Sequence, residues 1–250
     1  MLLGSMTYKE FFDAFEKDVP KVKYKLDSLT PKVLKILSKE YKYPTWRIYD
    51  YTIPSSHNTH YFFYYADGYG MTTTTFLVLE HNNHKFYVKT MRMGYKHTPE
   101  SDRVMLPIIS IYTNHFLERY RERFLHDENI ELREVAGIYF ARNERVIPIN
   151  LNDEINRNYK KYGDQNFQGI RVRDGFCFTD SSIDGLFDEN GDRSKDQIDA
   201  MCIIYTTFIN ESEMNESQKA AIDKECQEVL DRCIREMGLT NNWNKNGLYL

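Results

Sequence analysis

The chain has 250 residues, of which 41% are hydrophobic and 28% are charged, the mixture of an ordinary globular protein. Its 33 basic and 37 acidic residues give a net charge of −4, which excludes attraction of the whole molecule to nucleic acid, so any such contact needs a local basic patch. Since no apolar run reaches the roughly 18 residues of a membrane span and the amino terminus lacks the pattern of a signal peptide, we expect a cytoplasmic protein without a membrane partner.

The first predicted elements are helices, in an N-terminal helical extension of residues 1–45. Thr7 and Glu10 have the spacing of a capping box, and apolar residues then recur on one face of a helix that we expect Pro20 to end. A second helix is expected to begin where a threonine cap is followed by Pro31. Each helix therefore carries an apolar stripe that needs a partner surface.

Strand-like sequence follows this extension. Four segments rich in β-branched and aromatic residues are separated by turn signals, and a fifth comes after a polar loop at 96–103. The asparagine pair at 82–83 predicts a tight hairpin, because asparagine tolerates a positive φ. The predicted strands cover 46–53, 60–66, 72–80, 84–91 and 104–112.

Beyond these strands the pattern predicts one inserted helix over 113–124, with Thr113 or Asn114 as its cap. A β-hairpin with strands at 135–140 and 144–151 is expected next. Later strands are expected at 169–173, 176–179 and 201–209, with a loop at 184–196. A closing helix begins at Asn215, which has Gln218 three residues later, and ends before Gly238.

This order of elements predicts an α+β fold. The fold would be a mainly antiparallel sheet with an inserted helix, N-terminal helices and a C-terminal helix, because strands and helices do not alternate regularly. We expect one domain over 46–238, preceded by the helical extension and followed by a tail at 239–250.

The inserted helix carries the strongest functional signal. At 100° per residue its large apolar side chains fall on one face, and His115, Arg119 and Glu122 lie opposite. A histidine beside an arginine suits general acid–base chemistry near neutral pH, with the cation stabilising charge on a phosphate. A solvated helix face with weak ion pairs explains the same pattern, so both interpretations stay open.

The succession of a strand, an H-x-x-x-R-x-x-x-R helix, a hairpin and a late strand resembles the small ribonuclease fold typified by RelE and barnase. The motif residues in this chain are His115, Arg119 and Arg123. The resemblance covers roughly residues 104–210 and leaves both termini outside it.

Members of that group cleave RNA without a metal, so the resemblance implies a toxin-like, metal-independent ribonuclease that needs no cofactor. It implies that His115 is the acid or base and that Arg119 and Arg123 bind phosphate. Thr206 or Thr207, on the late strand, would contact the substrate.

A basic stretch interleaved with aromatic residues lies between 157 and 173. It holds five basic residues and one acidic residue. Cations that bind phosphates and rings that stack on bases are how a single strand is held, although a surface loop packed on a sheet has the same composition. The basic residues are Arg157, Lys160, Lys161, Arg171 and Arg173, and the rings are Tyr159, Tyr162 and Phe167.

Two H-x-x-H pairs raise the alternative of a metal site. They are His57 with His60, and His81 with His84 across the predicted hairpin turn. Structural zinc sites usually include cysteine, and no cysteine precedes Cys177, so we expect no metal.

Two classes of function therefore remain. One is an RNA-binding or ribonuclease-like protein whose partner is RNA. The other is a non-catalytic interaction or structural protein of a phage, a mobile element or a larger assembly, which would bind another protein through aromatic surface. The aromatic fraction of 14% and the mild acidity favour the second class. The sequence does not predict the oligomeric state.

Overall fold

The computed structural model describes residues 6–81, 84–95, 104–152, 155, 168–187 and 193–236. Five α-helices lie in this part of the chain: α1 (Tyr8–Glu16), α2 (Val19–Leu37), α3 (Asn114–Tyr120), α4 (Leu132–Arg142) and α5 (Glu216–Glu236). A π-helical turn, Arg121–Leu125, continues α3. None of the described helices is both long and apolar enough to cross a bilayer.

Nine strands in the described residues form one sheet. They are β1 (Thr45–Thr52), β2 (Thr59–Ala66), β3 (Met71–His81), β4 (His84–Tyr95), β5 (Val104–Thr113), β6 (Val146–Asn150), β7 (Gln168–Val172), β8 (Gly175–Phe187) and β9 (Arg193–Asn210). Their order is β1-β2-β3-β4-β5-β9-β8-β7-β6, and every neighbouring pair is antiparallel except β5 and β9. The predicted α+β class, with a mainly antiparallel sheet and an inserted helix, is confirmed.

The N-terminal helices differ in part from the prediction. The capping box of α1 is present, with the Glu10 amide 3.2 Å from Thr7 Oγ1 and the Thr7 amide 2.9 Å from Glu10 Oε2. Pro20, however, does not end a helix but lies in the first turn of α2, where its missing N–H is not needed. Pro31 lies inside α2, so the predicted start of a second helix there is wrong.

The predicted hairpin over 135–151 is also wrong in its first half. Residues 132–142 form α4, and its residues Val135–Ala141 are all buried. A helix buried on every side has no polar face, so its apolar run lacks the 3.6-residue period and looks like a strand. The second predicted strand is present as β6.

The remaining strand predictions are confirmed to within a few residues, except at 184–196. There β8 continues to Phe187 and β9 begins at Arg193, so much of the predicted loop is strand. The asparagine pair at 82–83 and the tail at 239–250 lie outside the described residues. His81 and His84 on either side of that pair are register partners, as expected for a tight hairpin.

Helices α3 and α4 pack on one face of the sheet. The largest core cluster combines these helices with residues from seven strands, β2 to β5 and β7 to β9. On the other face α1 buries Phe12 against Leu77 and Ile109, α2 packs on β1 and β2, and α5 packs on β6 and β8. The helices before residue 45 thus share a core with the sheet, while a domain boundary at that point stays a prediction.

Candidate functional site

A cleft of about 350 Å³ opens at the carboxyl end of α4. Three arginines converge on it: one ends α4, one follows three residues later in the link to β6, and one lies in the turn between β7 and β8. The lining residues are Thr72, Ala141, Arg142, Glu144, Arg145 and Arg173. We call this site the arginine cleft.

The β7–β8 hairpin positions one side of the cleft. Val172 and Gly175 are register partners, so Arg173 and Asp174 are the two turn residues between them. A side chain at Gly175 would clash, because an added Cβ would lie 2.3 Å from the Ile209 carbonyl oxygen. The tight turn directs Asp174 into the core, where it is 6% exposed, and leaves Arg173 exposed at the cleft.

Asp174 fixes the arginine at the end of α4. Its carboxylate accepts hydrogen bonds from Arg142 Nε at 2.9 Å and Nη2 at 2.7 Å, from the Tyr120 hydroxyl at 2.6 Å and from Asn143 Nδ2 at 2.9 Å. The hydrogen bonds that Arg142 itself donates to Asp174 raise the pKa of Arg142. Burial, together with the Asp174 charge, raises the pKa of Tyr120 well above its usual value. The guanidinium is therefore rigid, but its charge is largely compensated.

Anion binding at the cleft would depend mainly on the two other arginines. Arg145 and Arg173 are exposed, and neither forms an ion pair with another described residue. Glu144 on the rim and the carbonyl end of the α4 dipole act against an anion. Once Arg142 and Asp174 are counted as a pair, two arginines remain against one glutamate among the lining residues, and Asp67, between β2 and β3, is a further carboxylate near Arg173.

A lysine on β4 lies under α4, on the same face of the sheet. Lys89 Nζ donates to Thr74 Oγ1 at 3.0 Å and lies 5.1 Å from the centre of the Phe140 ring. Burial lowers the pKa of Lys89, and the charge of Glu144 partly opposes this shift. No carboxylate among the described residues lies within ion-pair distance of it. Lys89 is thus a more enclosed cation than the exposed Arg145 and Arg173.

The predicted His/Arg face lies outside this cleft. His115 is exposed, and Arg119 Nη1 lies 2.8 Å from Glu122 Oε2, with both side chains about half exposed. This arrangement is that of a solvated helix face with a weak ion pair, the alternative interpretation of the sequence pattern. The face presents an imidazole and a paired guanidinium to solvent, and the catalytic roles assigned to them stay predictions.

The third residue of the motif has a structural contact. Arg123 Nη1 donates to the Phe208 carbonyl at 2.6 Å, and its Nε lies 3.3 Å from Glu213, so it ties the π-helical turn to the end of β9. Phe208 packs under α3, and alternation along the strand directs Thr207 to the opposite face of the sheet. Thr206 donates its hydroxyl to a β8 carbonyl at 3.0 Å. The structure does not bring Thr207 to the His115 face.

The basic stretch is described only at its carboxyl end. Arg171 Nη2 pairs with Glu211 at 3.1 Å, and Nη1 donates to the Gly175 carbonyl at 3.4 Å, so this arginine supports the hairpin. Arg173 is the member of the stretch that lines the cleft. The predicted contacts Arg157, Tyr159, Lys160, Lys161, Tyr162 and Phe167 lie outside the described residues.

In the first histidine pair His60 is buried and His57 is exposed, and in the second pair the side chain of His81 lies outside the described residues. His60 is buried with its Nε2 3.3 Å from Asp18 Oδ2, and His57 occupies the left-handed region with φ 57°. No three His, Cys, Asp or Glu side chains among the described residues come close enough together to hold a metal ion.

Two arginines of the cleft were not singled out from the sequence. In the segment ARNER, Arg142 falls in the turn and Arg145 in the second strand of the hairpin predicted over 135–151. Their role became visible once the β7–β8 turn, about thirty residues away in the chain, was placed beside them. Comparison with protein-family models, with curated proteins and with solved structures gives no match for this chain.

Proposed function

We propose that this protein binds RNA and that the arginine cleft receives its phosphate groups. The observation that carries the proposal is the convergence of Arg145 and Arg173, both exposed, beside the rigid Arg142 in one cleft. Guanidinium groups bind phosphate through paired N–H donors, and they do so best when their geometry is fixed in advance. A local basic site of this kind also explains how a chain of net charge −4 can bind a polyanion.

The test is a measurement of RNA binding at several salt concentrations by fluorescence anisotropy. We expect the double variant Arg145→Ala/Arg173→Ala to bind about 10-fold or more weakly, with the slope of log affinity against log salt reduced by roughly 1 to 2, because two phosphate contacts are lost. The matched control is Arg232→Ala/Arg235→Ala, which removes the same charge from α5 on the other face of the sheet. Equal weakening in both variants, or no binding by the wild type at low salt, would overturn the proposal.

Cleavage of the bound RNA is a separate part of the proposal. It depends on the predicted acid–base role of His115, whose imidazole is exposed and therefore accessible to an RNA strand. Labelled RNA incubated with the wild type in the presence of a chelator should be cut, and His115→Ala should leave it intact. If the wild type leaves RNA intact while still binding it, the cleavage step is wrong and the binding proposal stands.

A second candidate is a non-catalytic protein that binds another protein. Exposed side chains in and just after α2 favour it, notably Tyr24 at 79% exposure and Tyr41 at 96%, together with Leu34 and Ile36. Light scattering of the purified protein and a pulldown test this candidate. If the protein is strictly monomeric and retains no other protein in the pulldown, while it still binds RNA, this second candidate is wrong.

A further inference from the structure

A tyrosine with no burial at all lies near the arginine cleft. Tyr69 belongs to the β2–β3 turn, residues 67–70, and is 100% exposed. Leaving a whole aromatic ring in water forgoes the hydrophobic gain that such a side chain normally provides. The exposed Tyr69 ring is therefore suited to contact a flat group of a ligand, which would cover it on binding.

The turn that carries Tyr69 is well held. Asp67 Oδ1 accepts hydrogen bonds from the Tyr69 amide at 2.9 Å and the Gly70 amide at 3.0 Å. Gly68 adopts φ +92°, a conformation that favours glycine, and it packs beside the ring of Tyr43. The backbone at Tyr69 is thus fixed by its neighbours, so a contact made by the ring does not require ordering of the turn.

The turn also lies close to the cleft. Thr72, three residues after Tyr69, is one of the lining residues, and three extended residues span at most about 10 Å. The hydrogen bond from the Tyr69 amide is the main cause of the lowered pKa of Asp67, and the charge of Arg173 makes the smallest contribution to it. One bound strand can therefore contact the arginines and Tyr69 together.

We infer that Tyr69 stacks on an unpaired base of the RNA whose phosphates occupy the arginine cleft. The ligand class is then single-stranded RNA, because the faces of bases in a duplex are already stacked on each other. Stacking on a ring accepts any base, so little sequence preference is expected. This inference rests on the proposed function and adds to it the form of RNA that is bound.

The experiment compares a single strand of about 12 nucleotides with the duplex of the same sequence, using anisotropy with the full chain. We expect the wild type to prefer the single strand. Tyr69→Ala should weaken single-strand binding about 10-fold and leave the weaker duplex binding unchanged, while Tyr69→Phe, which keeps the ring, should bind as the wild type does. Tyr24→Ala is the control, since Tyr24 is an exposed tyrosine on α2. Circular dichroism shows whether each variant is folded.

The outcomes separate the two proposals. If Tyr69→Ala binds the single strand as tightly as the wild type while Arg145→Ala/Arg173→Ala does not, the stacking inference is wrong and phosphate binding at the cleft stands. Equal affinity of the wild type for the single strand and the duplex also overturns the inference. If the wild type binds neither RNA, the proposed function fails, and this inference fails with it.

Discussion

At the residue scale, Asp174 is a buried carboxylate shared by Arg142, Tyr120 and Asn143. The variant Asp174→Asn should lower the free energy of unfolding by about 3 kcal/mol, the lower end for breaking a buried pair, because Arg142 keeps some access to water. Because it also removes the charge that compensates Arg142, RNA binding by the folded variant should become stronger at low salt. Urea denaturation measures the first effect and anisotropy the second.

An exposed aspartate gives the control for this change. Asp50 lies on β1 and is exposed, so Asp50→Asn should change the free energy of unfolding by no more than about 0.5 kcal/mol. An Asp174→Asn protein as stable as the Asp50→Asn protein would show that the carboxylate does not hold the cleft together.

Lys89 is a residue whose charge costs stability. Its ammonium is largely enclosed and has a hydroxyl and a ring as neighbours, and burial lowers its pKa. Replacing it with methionine keeps an unbranched chain and removes the desolvation cost, so Lys89→Met should be as stable as the wild type or more stable by about 1 kcal/mol. Denaturant unfolding measures this, with the exposed Lys85→Met on the same strand as the control.

The same lysine predicts a dependence on pH. The unfolded chain holds the Lys89 proton up to about its ordinary pKa of 10.5, whereas the folded protein releases it at lower pH. The free energy of unfolding therefore rises as the pH increases from the pKa of folded Lys89 towards 10.5. In Lys89→Met this rise of the unfolding free energy with pH should be missing. Identical slopes in the two proteins would contradict the depressed pKa.

At the element scale, α4 marks the limit of what the sequence predicts. Amphipathic elements such as α1 and α5 were found because one face is polar, and the strands were found because they alternate or are rich in β-branched residues. A helix that is buried on every side over residues 135–141, as α4 is, has neither signal. The cleft was missed for a related reason, since the Arg142–Asp174 pair joins residues 32 apart and depends on that helix being recognised.

The close approach of α4 to the sheet is itself testable. A Cβ at Gly137 would lie 2.2 Å from Phe63 Cδ2, so the helix backbone packs directly on the ring of this β2 residue. In an exposed helix Gly→Ala gains up to about 1 kcal/mol, but here we expect Gly137→Ala to lower the free energy of unfolding by about 1–3 kcal/mol through overpacking. Thermal and urea unfolding provide the measurement.

Gly70→Ala is the matched control for that change. A Cβ at Gly70 meets nothing within 4 Å, so this variant should unfold as the wild type does. A Gly137→Ala protein that is more stable than the wild type would mean that the Phe63 ring can move aside and that α4 does not need a glycine at this position.

At the scale of the whole molecule, a buried polar cluster joins the N-terminal helices to the sheet. Asp18 precedes α2, and its Oδ2 accepts from Asn58 at 2.7 Å, Ser56 at 2.9 Å and His60 Nε2 at 3.3 Å. Burial raises the pKa of Asp18, but these hydrogen bonds together outweigh it and the net shift is downward. Burial lowers the pKa of His60 more than Asp18 raises it.

Both shifts predict that the protein loses stability in acid. Unfolded His60 binds a proton near its ordinary pKa of 6.5, and the folded protein resists protonation to lower pH, so the free energy of unfolding falls as the pH drops below about 6.5. Asp18 adds a second loss once the pH falls below its ordinary pKa of 3.8 and through its lower folded value. Urea denaturation at a series of pH values from about 8 downwards measures the slope.

Two histidine variants decide whether this slope arises where α2 meets β2. His60→Gln keeps a donor near Asp18 but cannot be protonated, so the loss of stability that begins below pH 6.5 should become shallower, whatever the absolute stability of the variant. His84→Gln removes an exposed histidine from β4 and should keep the wild-type slope. If His60→Gln retains the full slope, the acid response arises elsewhere, and the buried cluster does not couple the N-terminal helices to the sheet through its charge.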